Sequence, residues 1–210
     1  MSGLFITIEG TDGAGKTTQI KLLEKYLSDK GFKVVCTREP GGTPISEKIR
    51  EIIIDKNNSE MTDMTEALLY AAARAQHVSE VILPALKEGG IVISDRFVDS
   101  SVVYQGFARS MGERLIKNIN KYAVGDLEPD ITFLLKLKPE DGLARKRAQT
   151  ELDRLEAEKF SFHQRVYDGY VRLSKRCKSR ITVIDALKTV DEIHNEITEG
   201  INNLLEKNGI

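Results

Sequence analysis

The segment Gly10-Thr11-Asp12-Gly13-Ala14-Gly15-Lys16-Thr17 constrains this chain more than any other, because it satisfies G-x-x-x-x-G-K-[ST] at every fixed position. Ahead of it, Leu4-Phe5-Ile6-Thr7-Ile8 is short, apolar and β-branched, the pattern of a buried strand. After it, Ile20, Leu22, Leu23, Tyr26 and Leu27 recur at helical spacing, and Gly31 supplies a stop. A strand, a glycine turn and a helix in this order let backbone N–H groups close around a phosphate, and the helix dipole adds positive potential at the same point. In that frame Lys16 reaches the β- and γ-phosphates, and the Thr17 hydroxyl is a ligand for Mg²⁺. The stretch from Gly10 to Thr18 implies a nucleoside triphosphate site.

Two hundred and ten residues suffice for one large α/β domain and are short for two. With 31 Lys and Arg against 32 Asp and Glu, no whole-chain field argues for nucleic acid or a membrane surface as partner. Cys36 and Cys177 have no metal-ligand spacing, and Cys36 lies in an apolar run that makes it a core residue. The sequence enters its first strand at once, leaving no room for a leader, and no apolar run is long enough for a bilayer. The expectation is a cytoplasmic enzyme.

Downstream, 32–37 reads as a second strand, followed by the turn Arg38-Glu39-Pro40-Gly41-Gly42-Thr43. Ile45, Ile49, Ile52 and Ile53 mark a helix, and 64–86 one long helix that Pro84 bends near its end. Ile91-Val92-Ile93-Ser94-Asp95 is a buried parallel strand ending in an acid, where a phosphate-loop enzyme places the carboxylate associated with Mg²⁺. A Ser-rich segment runs on to Arg109, and 115–123 is helical. Strands at 131–135 and 181–184 bracket two helical stretches rich in both charges, and a last helix covers 193–205. Five apolar strands alternating with helices predict a three-layer α/β fold, a five-stranded doubly wound parallel sheet with ligands at the carboxyl ends of its strands.

Phosphate loops serve kinases, switch GTPases and ATPases alike. Asn120-Lys121-Tyr122-Ala123 has alanine where a guanine reader needs aspartate, and the loop lacks the early second lysine of partition ATPases. Arg38, Arg50, Arg74, Arg96 and Arg109 fall beyond strands or on segments that overlook the loop, as phosphoryl transfer between two anions requires. Arg145, Lys146, Arg147 and Arg154 lie on a charged segment suited to a lid; a solvated, salt-bridged helix accounts for the same charges. Where the acceptor is itself a phosphate monoester, it is mostly a dianion at neutral pH and needs no general base. His77, His163 and His194 therefore read as surface or packing residues.

Together with the loop, Arg38 to Thr43, Leu69-Tyr70-Ala71-Ala72-Ala73-Arg74, Asp95-Arg96-Phe97, Asp99-Ser100-Ser101, Tyr104-Gln105-Gly106 and Asp153-Arg154-Leu155-Glu156 resemble the bacterial-type thymidylate kinases over essentially the whole chain. The resemblance implies a single P-loop kinase domain over 1–210, with a monophosphate-binding region at about 38–109 and a lid at about 142–158. It implies transfer of the γ-phosphate of ATP, with Mg²⁺, to dTMP by a homodimer joined through helix faces. Arg96 then bridges acceptor and transferred phosphates, Asp95 acts through Mg²⁺-bound waters, Arg38 and Arg50 hold the dTMP phosphate, and Glu39 is a further substrate-binding position. Tyr70 stacks on thymine, Arg74 donates to its O4, and Ser100, Ser101 and Gln105 lie along the segment that meets the other ring edge. Tyr104 lies beneath the deoxyribose, Asp12 resembles the carboxylate bound to the sugar 3′-hydroxyl, and Arg147 or Arg154 supplies the catalytic charge that Gly13 lacks. A kinase for another monophosphate such as dUMP or UMP, and a slowly hydrolysing nucleotide switch, are the rival readings.

Overall fold

The computed structural model of the chain describes residues 3–147 and 153–209, and their side chains except those of Lys146 and Arg147. Residues 148–152 of the expected lid and the Arg147 side chain lie outside the described residues. Five strands, β1 (Leu4–Gly10), β2 (Val34–Arg38), β3 (Ile91–Asp95), β4 (Ile131–Lys136) and β5 (Ile181–Asp185), form one parallel sheet in the order β2-β3-β1-β4-β5. With β1 central, its carboxyl end and that of β3 open side by side, which is where a doubly wound sheet binds ligands.

The period of two along β1 sorts its side chains between two cores. Leu4, Ile6 and Ile8 pack with Ile20, Leu23 and Leu27 of α1 (Lys16–Asp29) and Ile193, Ile197 and Ile201 of the C-terminal helix, Val190–Asn208. Phe5 meets Val92 and Phe97 on the opposite face, and Thr7 and Glu9 share that direction. There the sheet is covered by α2 (Pro44–Ile54), α3 (Asp63–His77), Val98–Ala108 and the helices Glu113–Val124 and Phe160–Arg176. Cys36, expected in the core, is half-buried and packs against the first core's edge; burial, then the charge and hydrogen bond of Glu24, push its thiol up to about 12.

Two helices differ from the sequence reading. The long helix expected over 64–86 is α3, a π-helical turn at Val78–Ile82, and α4 (Leu83–Lys87), which carries Pro84 in its first turn. Proline removes an N–H and crowds the preceding turn, and the wider π turn is how the helix continues past it. The Ser-rich segment after β3, left without an element by its composition, is helical: α5 (Val98–Ser101) runs into a π-helical stretch, Val102–Ala108. On α3, Ala67, Ala71 and Ala73 are buried in the packing.

Beyond β4, the helix Pro139–Arg147 of the charged region lies against the phosphate loop, backbone on backbone. A Cβ on Gly142 would stand 2.4 Å from the Asp12 carbonyl oxygen, and one on Gly13, whose φ is +77°, would stand 2.4 Å from the Gly142 carbonyl oxygen. Gly142→Ala must therefore push the helix off the loop. We expect nucleoside triphosphate affinity to fall about tenfold and stability by about 1–3 kcal/mol, measured by titration and urea unfolding. Unchanged affinity would show that this contact does not shape the loop.

Candidate active site

A cavity of about 460 Å³ opens at the carboxyl ends of β1, β2 and β3, within the usual size of a ligand pocket. The loop supplies Asp12, Gly13, Gly15, Lys16, Thr17 and Thr18; the end of β2 and the turn after it supply Arg38, Glu39 and Pro40. Arg50 of α2, Tyr70 and Arg74 of α3, and Asp95, Arg96, Ser100, Ser101, Tyr104 and Gln105 after β3 complete most of the wall. Of the expected loop residues, Gly10, Thr11 and Ala14 lie behind this wall; Thr11 Oγ1 donates to the Leu137 carbonyl at 3.1 Å.

Lys16 Nζ donates to the carbonyls of Gly10 and Thr11 at 3.4 and 3.2 Å. Burial, then the charge of Arg96, lowers its pKa. Arg96 takes a left-handed backbone, φ +70°, a conformation that costs a non-glycine residue about 1–3 kcal/mol. Its guanidinium donates to Gly10 O at 2.9 Å, Asp12 Oδ1 at 2.6 Å, Ser100 Oγ at 3.2 Å and the Tyr170 hydroxyl at 3.1 Å, and it lies over the Tyr104 ring. Arg38 and Arg50 both donate to the Pro40 carbonyl, at 2.9 and 3.1 Å. Burial and the neighbouring Arg38 charge lower the pKa of Arg50. Cations gathered on shared carbonyl oxygens make a site for anions.

Arg74 is only 2 % exposed. It donates to Glu39 Oε2 at 2.6 Å, Ser101 Oγ at 2.9 Å, the Phe97 carbonyl at 3.2 Å and Asn120 Oδ1. Four of its five N–H groups are thus committed among the described residues, leaving one N–H of the outer nitrogen for a ligand. Glu39 also meets His77 Nδ1 at 2.9 Å, while His77 Nε2 lies 2.6 Å from Thr37 Oγ1. His77 is therefore an interior hydrogen-bonded residue, His163 is buried edge-on to Phe162, and His194 packs on Tyr26. None of the three lines the cavity.

Not every arginine goes where the sequence suggested. Arg109 turns away from the loop to Glu66 at 3.2 Å and Glu158 at 2.5 Å. Arg154 donates to the Ile53 carbonyl at 2.7 Å and to Glu66 at 2.6 Å and does not line the cavity. Arg145 does line it, donating to Gly13 O at 3.3 Å and to Ala186 O at 3.4 Å.

Glu9 and Tyr170 escaped the sequence reading. Glu9 is 1 % exposed; its Oε1 accepts from the backbone N–H groups of Phe97 at 2.8 Å and Ser100 at 3.3 Å. Its Oε2 accepts from Ser100 Oγ at 2.6 Å and the Tyr170 hydroxyl at 2.7 Å. The carboxylate thus fixes two of the groups that hold Arg96. An acid closing an apolar strand was a visible signal for Glu9. Nothing in the sequence marked Tyr170, whose partner lies 161 positions away.

Burial, then the charge of Asp99, raises the Glu9 pKa. Between the ordinary carboxylate value and the raised one, the folded chain binds more protons than the unfolded chain, so stability falls as pH rises through that window. Glu9→Gln keeps the acceptors for both backbone N–H groups but cannot ionise. Urea unfolding from about pH 5 to about pH 8 should show a smaller loss of stability in the variant than in the wild type. Parallel curves would mean Glu9 does not titrate in that window.

The thymidylate kinase family model matches residues 8–197. A thymidylate kinase of Geobacillus sp. (strain WCH70) is 52% identical over 195 residues, covering 92% of this chain and 93% of its own. One from Bacillus velezensis is 48% identical over 209 residues, covering 99% of each. The crystal structure of thymidylate kinase from Ehrlichia chaffeensis superposes with a TM-score of 0.78 at 33% identity, covering 95% of this chain and 98% of that one. The chain belongs to the thymidylate kinase family.

Proposed function

We propose that the cavity is where this chain carries out the ATP-dependent phosphorylation of dTMP to dTDP, the triphosphate lying on the loop and the monophosphate between α2, α3 and the segment after β3. The observation that carries the reading is Arg96, fastened to the loop through Gly10 and Asp12 while standing among the acceptor-side residues Ser100 and Tyr104. One guanidinium thereby touches both halves of the site, as a group neutralising a phosphoryl in flight must. Lys16 faces the same point from the loop, and Arg38 and Arg50 hold the acceptor phosphate, which attacks as a dianion without a base. Arg145, Arg147 and Arg154 are the cations of the lid; among the described side chains Arg145 contacts the loop, through the Gly13 carbonyl.

Mg²⁺ fits the donors present. Asp95 Oδ1 is buried without a hydrogen-bond partner among the described residues, and the Thr17 hydroxyl lines the same cavity. Mg²⁺ favours one or two protein oxygens completed by waters and phosphates, so Thr17 would bind it directly and Asp95 through water. When bound, it screens the charge of the triphosphate. On the acceptor side Tyr70 lies against the base, Arg74 offers its remaining N–H to O4, and Asp12 turns from Arg96 to the sugar 3′-hydroxyl.

Tyr104 lines the cavity while packing edge-on against Phe162 and Tyr170, at 6.2 and 6.4 Å between ring centres. A ring held so firmly occupies the space of a 2′-hydroxyl and leaves that hydroxyl without a partner. ADP release measured with dTMP, its ribose counterpart, dUMP, UMP, AMP and CMP tests the reading. Tyr104→Ala should narrow the kcat/KM gap between dTMP and its ribose counterpart about ten- to a hundredfold. ADP release indifferent to every monophosphate would overturn the kinase reading, and an unaltered sugar ratio would move the discrimination elsewhere.

For assembly we infer a homodimer joined through helix faces. Ile45 and Ile52 of α2, Met64 and Leu68 of α3, and Leu115 on the helix Glu113–Val124 are exposed on helices that pack side by side. Sedimentation at micromolar concentration should give twice the mass of one chain, and a monomer throughout would remove the dimer. The cytoplasm, with its ATP and dTMP, is the compartment this activity implies; among the described residues no helix is long and apolar enough to cross a membrane.

A further inference from the structure

Helix α3 presents Glu66, Tyr70 and Arg74 at intervals of four, one turn apart on one face. Two of the three are tied to the segment opposite. Arg74 donates to Ser101 Oγ at 2.9 Å, and Glu66 Oε1 accepts from Gln105 Nε2 at 2.9 Å. Gln105 lines the cavity and is only 1 % exposed, and its Oε1 has no hydrogen-bond partner among the described residues. A glutamine amide has two unlike ends, and only its surroundings decide which end points where.

Glu66 makes that decision. It also receives Arg109 at 3.2 Å and Arg154 at 2.6 Å, so its carboxylate is held charged and accepts only. Burial works against that charge, but the hydrogen bond from Gln105 and the charge of Arg109 outweigh it and keep the Glu66 pKa below its usual value. An acceptor on one side obliges Gln105 to turn its NH₂ towards Glu66, and its buried carbonyl oxygen is the end left without a partner beside the cavity.

We propose that Glu66, which touches no substrate, is a specificity-positioning residue. By orienting the Gln105 amide it makes the cavity wall an acceptor, and so selects a base whose ring N3 carries a hydrogen. Thymine and uracil offer N3–H beside the O4 acceptor, whereas cytosine offers a bare N3 beside an amino donor. Against Gln105 Oε1 and the free Arg74 N–H, cytosine meets acceptor with acceptor and donor with donor. The methyl group of thymine plays no part in this selection. The inference rests on the reading of the cavity as the dTMP site.

The test is the ratio of kcat/KM for dTMP to that for dCMP, with the ratio of dTMP to dUMP as internal control. Glu66→Gln frees the Gln105 amide to turn over, because the new amide donates as well as accepts. The dTMP to dCMP ratio should fall about tenfold or more, one buried hydrogen bond turned from favourable to opposed. The dTMP to dUMP ratio should stay within about twofold, since both bases carry N3–H. The double variant Glu66→Gln with Gln105→Glu restores an acceptor-only wall and should recover the preference for dTMP. Equal loss on dTMP and dCMP in the single variant would make Glu66 a structural support and overturn the proposal. Should the single variant not fold, Gln105→Met carries the test by removing the amide, and the dTMP to dCMP ratio should fall likewise. An unchanged ratio with raised KM would overturn the role of the amide. Unchanged KM for every substrate would show instead that the base does not lie against Gln105, and the reading of the site itself would fail.

Discussion

The guanidinium of Arg96 is the joint on which the rest of the site depends. Its backbone N–H is bonded to Ile8 O at 3.0 Å and its carbonyl accepts from Ser94 Oγ at 2.8 Å, so the residue is pinned at both ends. Those bonds, with the four acceptors around the guanidinium, offset a left-handed backbone that would otherwise relax. The strain is useful: it turns the side chain off the end of β3 and across to the loop beyond β1. Gly10 O then accepts from both Arg96 and Lys16, which brings two cations onto one oxygen. Positive charge is therefore fixed at this face of the cavity by the fold itself.

Such a concentration of cations needs negative charge to hold it in the folded chain. Asp12 provides it at the surface of the cavity and Glu9 beneath it, through Ser100 and Tyr170 rather than by direct contact. The difference matters. Asp12 is partly exposed, whereas Glu9 is enclosed and accepts four hydrogen bonds. The first carboxylate pairs with Arg96 at the cavity surface, and the second supports it from beneath. Glu39 repeats the second role for Arg74, with His77 filling its other oxygen.

How much of this the sequence disclosed follows from the range of the interactions. The loop, Lys16 and Thr17 are contiguous, and Asp95-Arg96 closes an apolar strand, so local pattern was enough to find them. The sheet was legible for the same reason, through short runs rich in apolar and β-branched residues. The segment Val98–Ala108 was not, because a π-helical stretch does not repeat its apolar positions at 3.6 residues. Glu66 carried a signal in its spacing from Tyr70 and Arg74, but an acid on a helix reads as solvated until its partners are known. The arginines of the charged segment show the limit of charge as a guide. Arg145 and Arg154 are alike in sequence, yet one lies on the loop and the other on the Ile53 carbonyl, because the backbone beneath each decides its direction.

That backbone also explains why the loop carries glycine at position 13. Gly13 and Gly142 face each other with no room for a side chain on either, so positive charge cannot be supplied from that point of the loop without displacing the helix Pro139–Arg147. The same contact supplies it from the other side. Arg145 follows Gly142 by three residues, nearly one helical turn, and this brings its guanidinium back to the Gly13 carbonyl at 3.3 Å. The approach that excludes a side chain from the loop is therefore what delivers one to it. A bulkier residue at position 13 would lose the helix and with it Arg145, so the glycine and the arginine are two parts of a single arrangement.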